Sequence, residues 1–424
     1  MAVALGCLST SMGAIVGTNP PARPLTFHRI ADLSAGARPA WEAYWNHSLS
    51  LRSNYYQMLL SELRNHDLRT TTPPNVGSLN ARQLKGSEAW FQTAEARHAA
   101  ENLVSFQTPM GGWGKNLDFT SHRRATGQQF TEHAPIQIDE TVDIKKLRIS
   151  FAATFDNGAT VSQLRFLARV IAAQESVHVQ PMINAFMRGL DYVMAAQYPN
   201  GGWPQVYPLE GAYHDAITHN DGAMAGILDL LREVTESGAF KFVPEPRRHA
   251  AAAALHRGLQ CVIKTQVLVE GRRTGWSQQY DPLTLEPAPA RNYEMPALSP
   301  PESSGMMLVL MRLRQPSDEI VFAVHQAASW LKKTSMHDVS FISAGASGRL
   351  LVATTNTGAL WPRYCEIGTD RPLFGDRDRT IHDDVSEISR ERRDGYSWFS
   401  KQPADALSVY ATWQLSHPKA TAPR

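Results

Sequence analysis

Apolar positions recur along the chain at the i, i+4, i+7, i+11 spacing that places them on one face of a helix. Phe186, Leu190, Val193 and Gln197 make one such stripe, Leu255, Leu259, Val262 and Gln266 make a second, and Ala96, Ala100, Leu103 and Gln107 repeat it more weakly. Each stripe ends in glutamine and runs into a loop that reaches a tryptophan: Gly111-Gly112-Trp113, Gly201-Gly202-Trp203 and Gly275-Trp276. Glycine ends a helix and turns the chain, and tryptophan supplies a large apolar anchor. Further helices are predicted over residues 161–174, 224–234, 304–313, 316–334 and 404–415. Strand-like sequence is sparse, confined to the neighbourhood of Ile342 and to residues 349–355. The pattern predicts a mainly α protein, an α/α toroid of paired helices with a small β-rich portion, in which the glutamines and tryptophans are packing and capping devices.

Composition narrows this further. The 424 residues are 43% hydrophobic and 19% charged, the balance of a soluble globular chain, and no apolar run approaches the length of a membrane span. A formal charge of +2 leaves no bulk basic field for nucleic acid, so affinity for an anionic polymer must come from locally clustered arginines. Residues 1–17 are small and apolar like the core of a signal peptide, without a basic leading segment. The proline-rich run from Asn19 to Pro24 reads as a linker. Residues 1–24 are therefore expected to be a leader and linker, and 25–424 one folded domain. Cys7, Cys261 and Cys365 lack zinc-site spacing, and the last two are expected as buried free thiols rather than a disulfide.

Three polar clusters stand out. Asp156-Asn157-Gly158 opens a helix, either capping it or offering a carboxylate and an amide to a hard cation such as calcium. The run from Tyr213 to Asp221 brings Asp215, Asn220 and Asp221 together with His214 and His219, whose spacing is not that of a helical zinc pair. From Trp361 to Arg379, arginines including Arg363 and Arg377 alternate with aromatics. That composition suits anionic sugars, or else a solvated loop in which Arg377 pairs with Asp376 or Asp378.

With Gly111-Gly112-Trp113-Gly114-Lys115-Asn116, Tyr198-Pro199-Asn200-Gly201-Gly202-Trp203, Ala290-Arg291-Asn292-Tyr293-Glu294 and Arg392-Arg393-Asp394-Gly395-Tyr396-Ser397-Trp398, these clusters resemble the pectate lyases of polysaccharide lyase family 10 in family order, over residues 107–399. The chain departs from the family pattern at Gly114, Ala216, His219 and Gly222. The resemblance implies an α/α toroid, calcium, and anti-elimination across C4 and C5 of polygalacturonate to 4,5-unsaturated products. By motif it makes Arg291 the base and Asp156 and Asp221 the metal residues. Lys115, Asn157, Asn220, Arg363 and Arg377 become substrate-binding groups. It also implies a secreted or periplasmic monomer.

An unperturbed guanidinium is neutral in only about 1 part in 10⁵ near pH 8.5, so the base must be depressed. Calcium, Arg363 and Arg377 are expected to do this by like-charge repulsion, giving an alkaline optimum. Two rival readings remain: a glycoside hydrolase using Asp156 and Asp221 as its pair, and a non-catalytic pectin-binding protein. A lyase alone leaves an unsaturated end absorbing in the near ultraviolet.

Overall fold

A computed structural model of the chain describes residues 15–75, 77, 86–132, 135–137 and 153–419; the leader-like residues up to 14, with Cys7, lie outside them. A short helix, α1 (Phe27–Ala31), and a long one, α2 (Arg38–Asn65), come first. They are followed by α3 (Glu88–Phe91), α4 (Ala94–Ser105), α5 (Val161–Ala173), α6 (Ser176–Ala195), α7 (Ala223–Glu236), α8 (Glu245–Thr265), α9 (Pro300–Met311), α10 (Asp318–Lys333), α11 (Arg390–Gly395) and α12 (Gln402–Ser416). Helices α5, α7, α9 and α12 pack side by side as one layer. Helices α4, α6, α8 and α10 form the other, and consecutive members pair across the layers: α5 with α6, α7 with α8, α9 with α10. This is an α/α toroid, and its core runs continuously between the layers through residues such as Leu164, Phe186, Leu228 and Met307.

The glutamine–tryptophan repeat is the device that closes one pair onto the next. Gln107 Nε2 donates to Gly111 O (2.6 Å) in its own loop and to Ala185 O (2.8 Å) in α6. Gln197 does the same to Gly201 O (3.0 Å) and to Ala254 O (2.9 Å) in α8. Gln266 follows with Thr274 O (2.8 Å) and Ala323 O (3.0 Å) in α10. Each tryptophan indole donates back into the preceding helix: Trp113 to Leu103 O, Trp203 to Val193 O and Trp276 to Val262 O, at 2.8–2.9 Å. Gly111 and Gly201 have positive φ and lie so close to the carbonyls of Arg188 and Arg257 that a Cβ at either would collide.

Helix α9 begins four residues before the predicted start, because Pro300 and Pro301 occupy first-turn positions where no N–H is required. The expected sheet forms as Val339–Ser343 paired antiparallel with Arg349–Ala353. A second core of Tyr293, Met295, Tyr364, Phe374 and Trp398 underlies the β-rich portion. Cys261 and Cys365 are buried free thiols. Residues 15–24, expected as leader and linker, lie against the domain. Ile15–Thr18 pairs with Thr380–His382, which in turn pairs with Phe374–Gly375, and Leu25 N donates to Asp215 Oδ2 (3.0 Å).

Candidate active site

The tight turns that start α5, α7 and α9 carry the site. Thr154, Thr218 and Ser299 each donate a backbone N–H to the carbonyl of a repeat tryptophan: Trp113, Trp203 and Trp276 respectively. Three residues beyond each lies a polar side chain, Asn157, Asp221 and Glu302, so the repeat geometry delivers all three to one end of the toroid. Asn157 (φ 53°) and Asp221 (φ 51°) are left-handed, and each is followed by a glycine, Gly158 or Gly222, that continues the left-handed turn. Asn and Asp tolerate this conformation better than most residues, and glycine adopts it freely.

A recess of about 170 Å³ is lined by Lys115, Asp156, Asn157, Asn220, Asp221, Arg291 and Glu294, with Tyr213, Gln205, Gln279 and Ala290 completing its wall. A groove of about 890 Å³ shares Asn157 and Asp221 with it and includes Glu302, Arg363 and Lys401. In the recess the Lys115 ammonium is bonded to the Asp156 carboxylate. Arg363, largely buried, donates through Nη2 to Asn220 Oδ1 (2.9 Å) and Glu302 Oε1 (3.3 Å) and lies 3.8 Å from Asp221 Oδ1. Its guanidinium also sits 4.9 Å from the ring centre of Tyr396. Six of the expected site residues thus meet in one recess, with Arg363 against them. Arg377 is not among them: its exposed guanidinium is held by Glu391 (3.0 and 2.9 Å), while Asp376 accepts from its backbone N–H (2.7 Å).

Three cations, Lys115, Arg291 and Arg363, face four carboxyls, Asp156, Asp221, Glu294 and Glu302, across the site. Burial raises the Asp221 carboxyl, opposed by Arg363 and reinforced by Asp156. Burial also pushes Glu302 up to about 6. His214 and His219 are pushed down to about 4 and about 3 by burial, so both are neutral at ordinary pH. Asp215, raised to about 7 by burial, faces away from the recess and accepts from Gly211 N (2.8 Å) and Leu25 N.

Arg291 departs from expectation. Its Nε donates to Glu294 Oε2 (2.8 Å) and its Nη2 to Glu294 Oε1 (2.5 Å), in a bidentate pair with a carboxylate that is 2% exposed. Tyr396 OH (2.7 Å) and Arg291 N (3.0 Å) donate to the same carboxylate. Burial lowers the guanidinium pKa, but the Glu294 pair outweighs it, so the group is held above its usual value rather than below. The net direction is opposite to that expected from like-charge repulsion.

The donor set suits a hard cation. Asp156 and Asp221 offer carboxylate oxygens, Asn157 and Asn220 amide oxygens, and no thiolate lines the recess. Among the described residues no three His, Cys, Asp or Glu converge as a preassembled metal cage. Two carboxylates are thus a partial shell that water or an anionic ligand must complete. Glu294, Glu302, Tyr213 and Tyr396 were not singled out from the sequence. For three of them a signal existed: Tyr213 heads the Tyr213–Asp221 run, Glu294 closes the Ala290–Glu294 motif and Tyr396 lies in the Arg392–Trp398 motif; Glu302 lies in none.

Comparison with known proteins falls on the same residues. A family profile described as pectic acid lyase matches residues 107–407. A family 10 polysaccharide lyase from Cellvibrio cellulosa superposes with a TM-score of 0.64 at 27% identity, over 82% of this chain and 100% of that one. A single-residue mutant of that lyase in complex with trigalaturonic acid gives 0.65 at 28% identity, over 77% and 95%. A comparison with curated proteins gave no match.

Proposed function

The chain belongs to the pectic acid lyases of polysaccharide lyase family 10, and on that premise we propose that it is a calcium-dependent pectate lyase that cleaves polygalacturonate with Arg291 as the base. The observation that carries the reading is the recess in which Lys115, Asp156, Asn157, Asn220, Asp221 and Arg291 meet. Asp156 and Asp221 would hold calcium, which when bound supplies positive charge against a galacturonate carboxylate and so acidifies the adjacent C5 proton. Lys115 and Arg363 add fixed positive charge, and Arg363 is already ordered by Glu302 and Asn220.

Glu294 fixes the Arg291 guanidinium through Nε and Nη2, while Nη1 makes no hydrogen bond among the described residues. After the guanidinium has given up a proton to hydroxide, Nη1 is the nitrogen that takes the C5 proton. The C5–H electron pair becomes the C4–C5 double bond, the C4–O glycosidic bond breaks, and the departing oxygen takes a proton from solvent. Because Glu294 favours the charged guanidinium, the rate is expected to climb with alkalinity. A polymer of this size is met outside the cytoplasm, so the protein is assigned a secreted or periplasmic role. Among the described residues no helix is long and apolar enough to cross a membrane.

The Glu294 pair also favours a second reading, in which Arg291 stays charged and grips the substrate carboxylate. Rates of Arg291→Lys and Arg291→Ala across alkaline pH separate the two. The base reading expects both to lose most activity at every pH, whereas near-full activity of either at high pH sinks it. Substantial activity in the lysine variant alone supports the cation reading.

A further inference from the structure

Asn19 sits at the end of the Ile15–Thr18 strand and is 1% exposed. Its side-chain amide reaches across to the turn that carries Arg291. Nδ2 donates to Arg291 O (3.0 Å), Asn292 O (2.8 Å) and Glu294 O (3.1 Å). An amide nitrogen has two hydrogens, so three carbonyls share them, and the opposite orientation of the amide would aim an oxygen at three oxygens. Its backbone N–H donates to Arg379 O (2.8 Å), and Asn292 Nδ2 donates to Arg377 O (3.1 Å). One residue therefore ties the Arg291 turn to the strand and to the turn following Phe374–Gly375. Within the turn Ala290 N donates to Glu294 O and Glu294 N to Arg291 O, whereas among the described residues Asn292 O accepts from Asn19 alone.

We propose that Asn19 is a positioning residue for Arg291, which makes residues 15–19 a working part of the active site; this rests on the reading of Arg291 as the base. The amide acts on the backbone that carries the guanidinium, so its loss lets Arg291 drift from the substrate without changing the groove that binds the polymer.

The test uses the full chain, with calcium and polygalacturonate, following near-ultraviolet absorbance. Asn19→Ala and the isosteric Asn19→Asp are expected to lower kcat by about 10²-fold, with KM changed less than about threefold, a loss of the size that misplacing a catalytic group by about 1 Å produces. In an Arg291→Ala background, Asn19→Ala is expected to add less than about twofold, because a residue acting through another has nothing further to remove. Wild-type kcat in Asn19→Ala, a loss confined to KM, or full additivity with Arg291→Ala overturns the proposal. If Asn19→Ala lacks cooperative melting, the same cycle on Asn19→Ser decides, since a hydroxyl is small and polar but cannot serve three carbonyls. Near-full activity of Arg291→Ala by itself fails only the base assignment, whereas wild-type kcat in the Asn19 variants fails only this one.

Discussion

Replacing Arg363 with methionine removes the buried cation shared by Glu302, Asn220 and Asp221, and its cost should depend on pH in a calculable way. Glu302 accepts from Arg363 at 3.3 Å, and both side chains are largely buried, so breaking the pair should destabilise the fold by about 3–5 kcal/mol where Glu302 is charged. Burial already puts Glu302 at about 6, and Arg363 opposes that rise. Without Arg363 the carboxyl climbs further. An acid raised above its unfolded value contributes stability below the unfolded pKa and loses it as pH rises through the folded pKa. At pH 5 Glu302 is mostly protonated in the folded state of either protein. At pH 8 the variant must keep it protonated or bury its charge alone. A further rise of about two pKa units makes the variant's deficit about 2–3 kcal/mol larger at pH 8 than at pH 5, at about 1.4 kcal/mol per unit. Urea denaturation at both pH values, with chelator present, measures this, and adding Glu302→Gln should abolish most of the difference. An equal deficit at pH 5 and pH 8 would refute the reasoning.

Glu294→Gln removes the carboxylate that favours the Arg291 cation, so the alkaline rise in kcat/KM should shift about one to two pH units lower; an unmoved profile contradicts the role given to the pair. Gln197→Ala should cost about 2–3 kcal/mol in urea denaturation, because Gly201 O, Ala254 O and the Arg257 guanidinium (2.6 Å) all lose a buried partner. A cost below about 0.5 kcal/mol would mean the repeat tie is incidental. Lys115→Met should tighten calcium binding by titration calorimetry up to about fivefold, since an exposed ammonium on Asp156 competes for about 1 kcal/mol at most, and weaker binding would argue that Asp156 is not a ligand.

The helices of both layers were legible where burial follows a single apolar stripe, as in α5, α6, α8 and α10. Helix α2 was not, because its buried face mixes Trp41, Tyr44, Ser48 and Arg52 with leucines, and Ser48 and Arg52 are there to bind the backbone of Leu209. Pro300 and Pro301, which lie ahead of the predicted start, are the first turn of α9. In the site, Asp156, Asn157, Asn220 and Asp221 announced themselves as polar clusters at helix starts. Glu302 did not, since an acid in a first turn reads as a cap until Arg363 is brought against it from a distant β-rich segment. Glu294 was likewise hidden: its neighbour Arg291 was quoted beside it, yet the sign of the pKa effect depends on burial that no spacing reveals. Residues 15–19 looked like the tail of a leader because their partners, Arg379 and the Arg291 turn, lie far along the chain.

The central claim is tested most directly by incubating the purified protein with polygalacturonate at alkaline pH and following near-ultraviolet absorbance, with calcium and then with excess chelator. The account predicts a steady rise with calcium, its loss with chelator and its return when calcium is restored. Polymer shortened without any rise in absorbance would mean hydrolysis, and a rise that survives chelation would contradict the role given to Asp156 and Asp221.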